Sequence, residues 1–216
     1  MRIGTWNLAG RWGPAHLALL LGMDCDVLLL TEVSVQVQLP GHAGHLGMAE
    51  MTPGRLWAGV FSPHGVEPRP DPHPASALAM VGGVGFCSSV LPWRGCGPGE
   101  PWGEGNHAAR TARAVSTLLS TLPAHDLVWG GDFNHALEGH EYAGSIAGRR
   151  SVQGALETLG LDAPIASLPH QIDTLLSIDH IAVPRGWTVT STERVSSVVE
   201  AGRLSDHDAY VIEVAD

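Results

Sequence analysis

The sequence predicts an α/β fold in which packed β-sheets carry helices on their outer faces. Short apolar runs bounded by Gly, Pro or polar residues recur along the whole chain and read as buried strands, whereas few segments have helical spacing. Several of the strand-like runs also end in an acid, an amide or an imidazole: Asn7, Glu32, Asp132 with Asn134, Asp179, and Asp206 with His207. No Ser- or Pro-rich linker and no internal repeat divides the 216 residues, so residues 1–216 are expected to form a single domain with a full core.

Arg2 to Leu8 reads as the first strand. Gly10 to Gly13 turn the chain, and Pro14 suits the start of a short apolar helix, Ala15 to Leu21. Asp26 to Glu32 is a continuous apolar run with an acid at its end, a buried strand. The pattern weakens from Ser34 to Gly54, and Leu56 to Phe61 restores it as a strand. Pro63 to Pro74 is too rich in proline to sustain a ladder and is expected to be a loop. Ala77 to Val81 and Gly85 to Leu91 form a strand pair around Gly82-Gly83, followed by a long Gly/Pro-rich loop from Trp93 to Gly105. Asn106 to Leu122 has helical spacing and is stopped by Pro123. Leu127 to Asp132 is the central strand, His135 to Gly148 a second long loop, and Arg149 to Leu159 a helix ended by Gly160. Ser177 to Val183, Trp187 to Val195 and Ala209 to Val214 complete the strands.

Composition narrows the class. The chain enters a strand-like run at once, so no signal peptide is expected, and no apolar stretch reaches the length of a membrane span. The odd cysteine count, Cys25, Cys87 and Cys96 without CxxC spacing, points to free thiols and a reducing cytoplasm. The formal net charge is -10, every basic side chain is Arg, and no basic stripe suited to long duplex nucleic acid is visible. That balance favours a phosphate ester that is small, or a short or single-stranded nucleic acid, and a monomer is the simplest oligomeric state.

The sequence concentrates its chemistry at Trp129-Gly130-Gly131-Asp132-Phe133-Asn134. Gly130 and Gly131 let the backbone turn sharply. In extended backbone Asp132 and Asn134 project together while Phe133 points into the core. The alternative is that Asp and Asn simply shape a turn. Buried acids without partners are costly, so several converging acids suggest a cation between them. The candidate ligands are all oxygen except one imidazole, which favours Mg²⁺ or Mn²⁺ over zinc.

In order along the chain, Trp6-Asn7, Glu32, Gly131-Asp132-Phe133-Asn134, Ile178-Asp179-His180 and Ser205-Asp206-His207 resemble the motifs of the endonuclease/exonuclease/phosphatase superfamily. The resemblance implies a four-layer α/β/β/α sandwich of the DNase I-like type, with the site at one end of two packed sheets. It implies a metal-dependent phosphoesterase, a nuclease or a small-substrate phosphodiesterase. A phosphomonoesterase for a small metabolite or lipid headgroup and a non-catalytic binding module with the same fold are the competing readings. Carried over residue by residue, Glu32 resembles the principal metal ligand, with Asn7 beside it and Asp206 near the metal. Asp132 resembles the residue that orients or activates water, helped by Asn134. His207 resembles the imidazole on the scissile phosphate, with Asp179 its orienting carboxylate.

The chain also departs from the pattern. Many relatives carry a second His on the strand that here reads Ser88-Ser89-Val90-Leu91-Pro92, where the nearest equivalent is Val90. His107, or Trp93 and Arg94, could substitute from the following loop, and Trp93, Arg94 and Tyr142 are the candidate substrate contacts, with Arg149 and Arg150 nearby. Thr31-Glu32 replaces a more usual Gln-Glu pair. His180 is expected to be a packed core residue, and His170 to be structural or to stand behind the site. His42, His45, His64 and His73 are expected in solvent, Arg110 and Arg113 on an exposed helix face, Trp102 pinning its loop, and Asp208 at the surface.

Overall fold

The computed structural model describes residues 1–200 and 202–215. In chain order the elements are β1 (Arg2–Asn7), α1 (Pro14–Gly22), β2 (Val27–Ser34), β3 (Ala43–Leu46), β4 (Glu50–Thr52), β5 (Arg55–Ser62), β6 (Glu67–Pro68), β7 (Ser76–Val81), β8 (Val84–Val90), α2 (His107–Leu119), β9 (Leu127–Asp132), α3 (Ile146–Leu159), β10 (Leu161–Asp162), β11 (Asp179–Pro184), β12 (Val189–Val195), β13 (Val198–Val199), β14 (Gly202–Arg203) and β15 (Ala209–Val214). One sheet runs β12-β15-β1-β2-β5-β3, with β4 also on β5. The other runs β10-β11-β9-β8-β7-β6, and β13-β14 is a separate hairpin. The β1/β2 and β8/β9 pairs are parallel, and these lie at the centres of their sheets.

The strands pack as their alternation dictates. Ile3, Val27, Leu29 and Val60 of the first sheet meet Phe86, Val128, Ile181 and Val183 of the second in one buried core. The opposite face of the first sheet, with Trp6, Leu28 and Leu30, is covered by Leu20 and Met23 of the α1 region. Ala114, Val115 and Leu118 of α2 and Val152, Ala155 and Leu156 of α3 cover the second sheet. The result is the four-layer α/β/β/α sandwich that the resemblance implies. The helix ends follow local chemistry. Asn106 caps α2 by accepting from Ala109 N–H, Ser145 caps α3 by accepting from Gly148 N–H, and Gly160 ends α3 at φ 64.

Some expectations are corrected. The weak segment between Ser34 and Gly54 contains β3 and β4, short edge strands with mostly exposed or half-buried residues and therefore no apolar alternation to read. The proline-rich loop contributes the two-residue β6, paired only at the sheet edge. α3 begins three residues before Arg149, at Ile146, because Ser145 supplies the cap. His73 is buried rather than solvated, stacked on Trp102 at 5.4 Å. Trp102 does pin its loop, meeting Trp57 edge-on at 5.2 Å. Arg110 is buried, with its guanidinium on Gly105 O. Asp208 faces away from His207, but that side is not solvent: it is buried, bound by Arg194 Nη2 at 2.6 Å and by Ser197 N–H and Oγ–H at 2.9 Å each. Cys25, Cys87 and Cys96 are all buried free thiols. Among the described residues no helix is long and apolar enough to cross a membrane.

Candidate active site

Asn7 ends β1 and Asp132 ends β9, while Asp179 opens β11 and His207 immediately precedes β15. Strand direction therefore delivers all four to one end of the two sheets. The register sets Asp179 directly opposite Asp132. Alternation turns Asp132 toward the first sheet, while Phe133 and His180 pack together on the helix side with ring centroids 5.3 Å apart. His180 is thus the buried core histidine expected, its Nε2 on His135 O.

Backbone conformation completes what alternation cannot. In a regular strand Glu32 would share the face of Leu30, away from Asn7. Its φ of 48 breaks that alternation, and its Oε1 accepts from Asn7 Nδ2 at 3.2 Å. Asn134 also has a positive φ, 51, so the extended geometry expected for Asp132 and Asn134 does not hold. Instead Asp132 Oδ1 accepts from Asn134 N–H at 2.9 Å, and Asn134 Nδ2 donates to Leu91 O at 3.0 Å. The turn reading and the functional reading are therefore compatible: Asp132 spends one oxygen on the turn and keeps Oδ2 for the site. Ala9, at φ 51, donates its N–H to Asn7 Oδ1. Left-handed non-glycine residues cost about 1–3 kcal/mol each, and three of the six among the described residues, Ala9, Glu32 and Asn134, adjoin this cluster.

Asn7 Nδ2 also donates to Asp132 Oδ2 at 3.0 Å, so one amide links Glu32 and Asp132. The Asn7 oxygen thus accepts from the backbone while its nitrogen faces the two acids. Glu32 Oε2 accepts from Arg55 Nη1 at 2.8 Å, a partner that sequence reasoning missed. Arg55 sits across the β2/β5 ladder, opposite Ser34, and carries no motif of its own. Asp206 is exposed beside the cluster, next to His207.

His207 Nδ1–H donates to Asp179 Oδ2 at 2.7 Å, and its Nε2 lies 3.9 Å from Asp132 Oδ2. Burial works to lower its pKa, but the charges of Asp179 and Asp132 and the Asp179 hydrogen bond outweigh it and push it up to about 10. Asp132 is pushed up to about 7, by burial first, with the Asp179 and Glu32 charges adding to it and His207 opposing. Asp179 Oδ1 is buried with no hydrogen-bond partner among the described residues. Asp132, Asp179 and His207 present ligand atoms within 4.8 Å of one another.

Of the expected substrate contacts, Tyr142 reaches the cluster through His170. Its ring is edge-on to His170 at 5.5 Å and its hydroxyl donates to Leu176 O. Trp93 is half-buried, and Arg94 is exposed but tied by Nε–H to Gly144 O at 2.9 Å. His107 is held between Ser145 Oγ and Pro92 O, both at 2.9 Å, as a fixture of the loops. Arg149 likewise braces its own loop, donating to Gly139 O and Glu141 Oε2.

The whole chain superposes on known structures. An AP endonuclease from Archaeoglobus fulgidus matches with a TM-score of 0.73 at 16% identity, over 100% of both chains. The fold is that of the endonuclease/exonuclease/phosphatase proteins. A 3'-5' exonuclease from Neisseria meningitidis matches with a TM-score of 0.68 at 18% identity, again over 100% of both chains. An endonuclease/exonuclease/phosphatase family protein from Leptotrichia buccalis C-1013-b matches with a TM-score of 0.62 at 13% identity, over 100% of both chains. No protein-family description and no curated protein matches the sequence.

Proposed function

We propose that this chain is a divalent-metal-dependent phosphoesterase of the endonuclease/exonuclease/phosphatase superfamily, acting on phosphodiester bonds. The observation that carries the reading is the Asp179–His207–Asp132 array at the sheet ends, on a fold shared with nucleases. With Nδ1–H committed to Asp179, His207 has Nε2 left to face substrate. An imidazolium held between two carboxylates donates a hydrogen bond to a phosphoryl oxygen, or a proton to the leaving oxygen, rather than accepting one. Asp132 Oδ2, with a pKa raised toward neutrality, orients the attacking water and takes its proton. Asn134, locked to Leu91 O through its nitrogen, offers its amide oxygen to the same water.

The residues fit a hard cation. The donors are carboxylates, Asp179 keeps a buried oxygen without a partner, and burial, with the neighbouring acids adding to it, raises Asp132. Glu32 and Asp206 would hold Mg²⁺ or Mn²⁺, with Asn7 and Arg55 fixing the Glu32 carboxylate. Such an ion, when bound, supplies charge neutralisation on a phosphoryl oxygen. Tyr142, Trp93 and Arg94 would contact the rest of the substrate.

Hydrolysis of bis(p-nitrophenyl) phosphate and of p-nitrophenyl phosphate, each with Mn²⁺ or Mg²⁺ and again after chelation, tests the reading. Diester cleavage that chelation abolishes is expected. Preference for the monoester would make the chain a phosphomonoesterase. No cleavage of either, nor of DNA, RNA, nucleotides or inositol phosphates, would leave a non-catalytic module, and full activity after exhaustive EDTA treatment would overturn the metal dependence.

A further inference from the structure

The strand position where many relatives carry a second imidazole holds Val90, which is buried and has no proton chemistry. A second imidazole nevertheless stands at the site, from a different part of the chain. His170 lies on the segment before β11, which is closed by the Pro169–Leu176 bridge. Its ring meets His207 edge to face, with centroids 6.3 Å apart and planes at 80°. Tyr142 packs on it from another side, its hydroxyl donating to Leu176 O and not to the ring.

The ring is nearly enclosed, at 6% exposure, and it is oriented by its own backbone. His170 Nδ1 accepts from Ile172 N–H at 3.0 Å, and His170 N–H donates to Leu175 O at 2.8 Å. An Nδ1 that accepts from a backbone N–H carries no proton itself, so in the neutral ring the proton sits on Nε2. Burial first, with the neighbouring His207 charge, keeps this ring neutral by lowering its pKa, against the opposing pull of Asp179 and Asp208. Among the described residues Nε2–H has no protein acceptor, and it is not among the atoms sealed from solvent. Beside His207 the protein thus holds a rigid, neutral N–H donor that has no protein acceptor among the described residues.

We propose that His170 is a catalytic residue of this site, its Nε2–H donating to a non-bridging oxygen of the substrate phosphate while His207 serves the leaving side. The two imidazoles divide the work by charge: His207 is the cation fixed by Asp179, and His170 is the neutral donor fixed by Ile172. This rests on the phosphoesterase reading for its substrate, and it applies equally to an ester phosphate and to free phosphate.

The test compares His170→Ala, His170→Phe and His170→Gln with the wild type in bis(p-nitrophenyl) phosphate hydrolysis with Mn²⁺, with unfolding midpoints measured alongside. Losing one hydrogen bond to a charged acceptor lowers kcat/KM by about 10- to 100-fold. His170→Ala and His170→Phe should both show that loss, although Phe preserves the packing on Tyr142 and His207. His170→Gln, which keeps an N–H near the position of Nε2, should recover most of it. Wild-type turnover in a folded His170→Phe would overturn the proposal and leave the phosphoesterase reading standing. If the wild type cleaves no ester, the phosphoesterase reading fails, and histidine ¹⁵N NMR with inorganic phosphate still decides the role of His170. A saturable shift of Nε2–H supports phosphate binding there, and an unmoved His170 resonance at saturation refutes it.

Discussion

Replacing Gly131 by alanine tests the backbone geometry on which the whole cluster hangs. Gly131 adopts φ 117 immediately before Asp132, and it pairs with Ser89 in the parallel β8/β9 ladder. A Cβ there would lie 2.3 Å from Ser89 O and 2.8 Å from Ser89 N, both backbone atoms at the centre of a sheet. Neither can swing aside as a side-chain tip would, so β8 and β9 must separate or the turn must unwind. Forcing an L-residue into this region costs about 1–3 kcal/mol. The overlap in a packed interior adds about 1–3 kcal/mol more. Together they amount to roughly 4 kcal/mol, a large part of the about 5–15 kcal/mol that holds a domain folded. In urea, with a slope of about 2 kcal/mol/M, the unfolding midpoint should fall by about 2 M. Gly154→Ala is the control: Gly154 is exposed on α3 with nothing near its Cβ, and alanine should stabilise that helix by up to about 1 kcal/mol. A Gly131→Ala protein within about 0.5 kcal/mol of wild type would refute the reasoning.

His207→Ala should lower turnover by about 10²–10⁴-fold, with Asp179→Asn losing less and the double variant little worse than His207→Ala, because imidazole and carboxylate act as one unit. Additive losses in steady-state kinetics would break that unit. Stability should fall as pH drops from about 6.5 to 4, because burial holds His73, His135 and His180 neutral with pKa values near 4. The unfolded chain, with histidines near 6.5, binds the extra protons in that window, and each residue withdraws about 2 kcal/mol by pH 5. Asp132, whose pKa is raised by folding, returns part of this, and a thermal midpoint at pH 5 equal to or above that at pH 7 would contradict the account. With a net charge of -10 and no basic stripe, the protein should bind random duplex DNA no tighter than about 10⁻⁶ M near 0.15 M salt, and nanomolar retention in a filter-binding assay would overturn the small-substrate leaning.

The sheets were legible because buried strands require apolar runs, and β1, β2, β5, β8, β9, β11 and β15 each carry one. β3 and β4 were not, since edge strands with exposed residues need no pattern. In the site, the sequence order of Asn7, Glu32, Asp132, Asp179 and His207 named the cluster, because strand ends deliver all but Glu32 to one place and a left-handed backbone turns Glu32 toward it. Orientation was harder. The left-handed backbones of Glu32 and Asn134 leave no mark in residue type, and the amide of Asn7 is turned by a local bond to Ala9 N–H. Arg55 was missed, and the contact of His170 with His207 was not foreseen beyond a place behind the site, for a related reason. Each is brought in by pairing or by a loop bridge between segments distant from its partners, and neither sits in a motif.

The central claim is that phosphoester cleavage occurs at the cluster where Asp132 meets His207. Its most direct test is the Mn²⁺-supported turnover of bis(p-nitrophenyl) phosphate by wild type and Asp132→Asn, with equal unfolding midpoints verified. The account predicts a loss of at least about 10²-fold, the scale of a positioned acid–base group. Turnover in the folded variant close to that of wild type would contradict it.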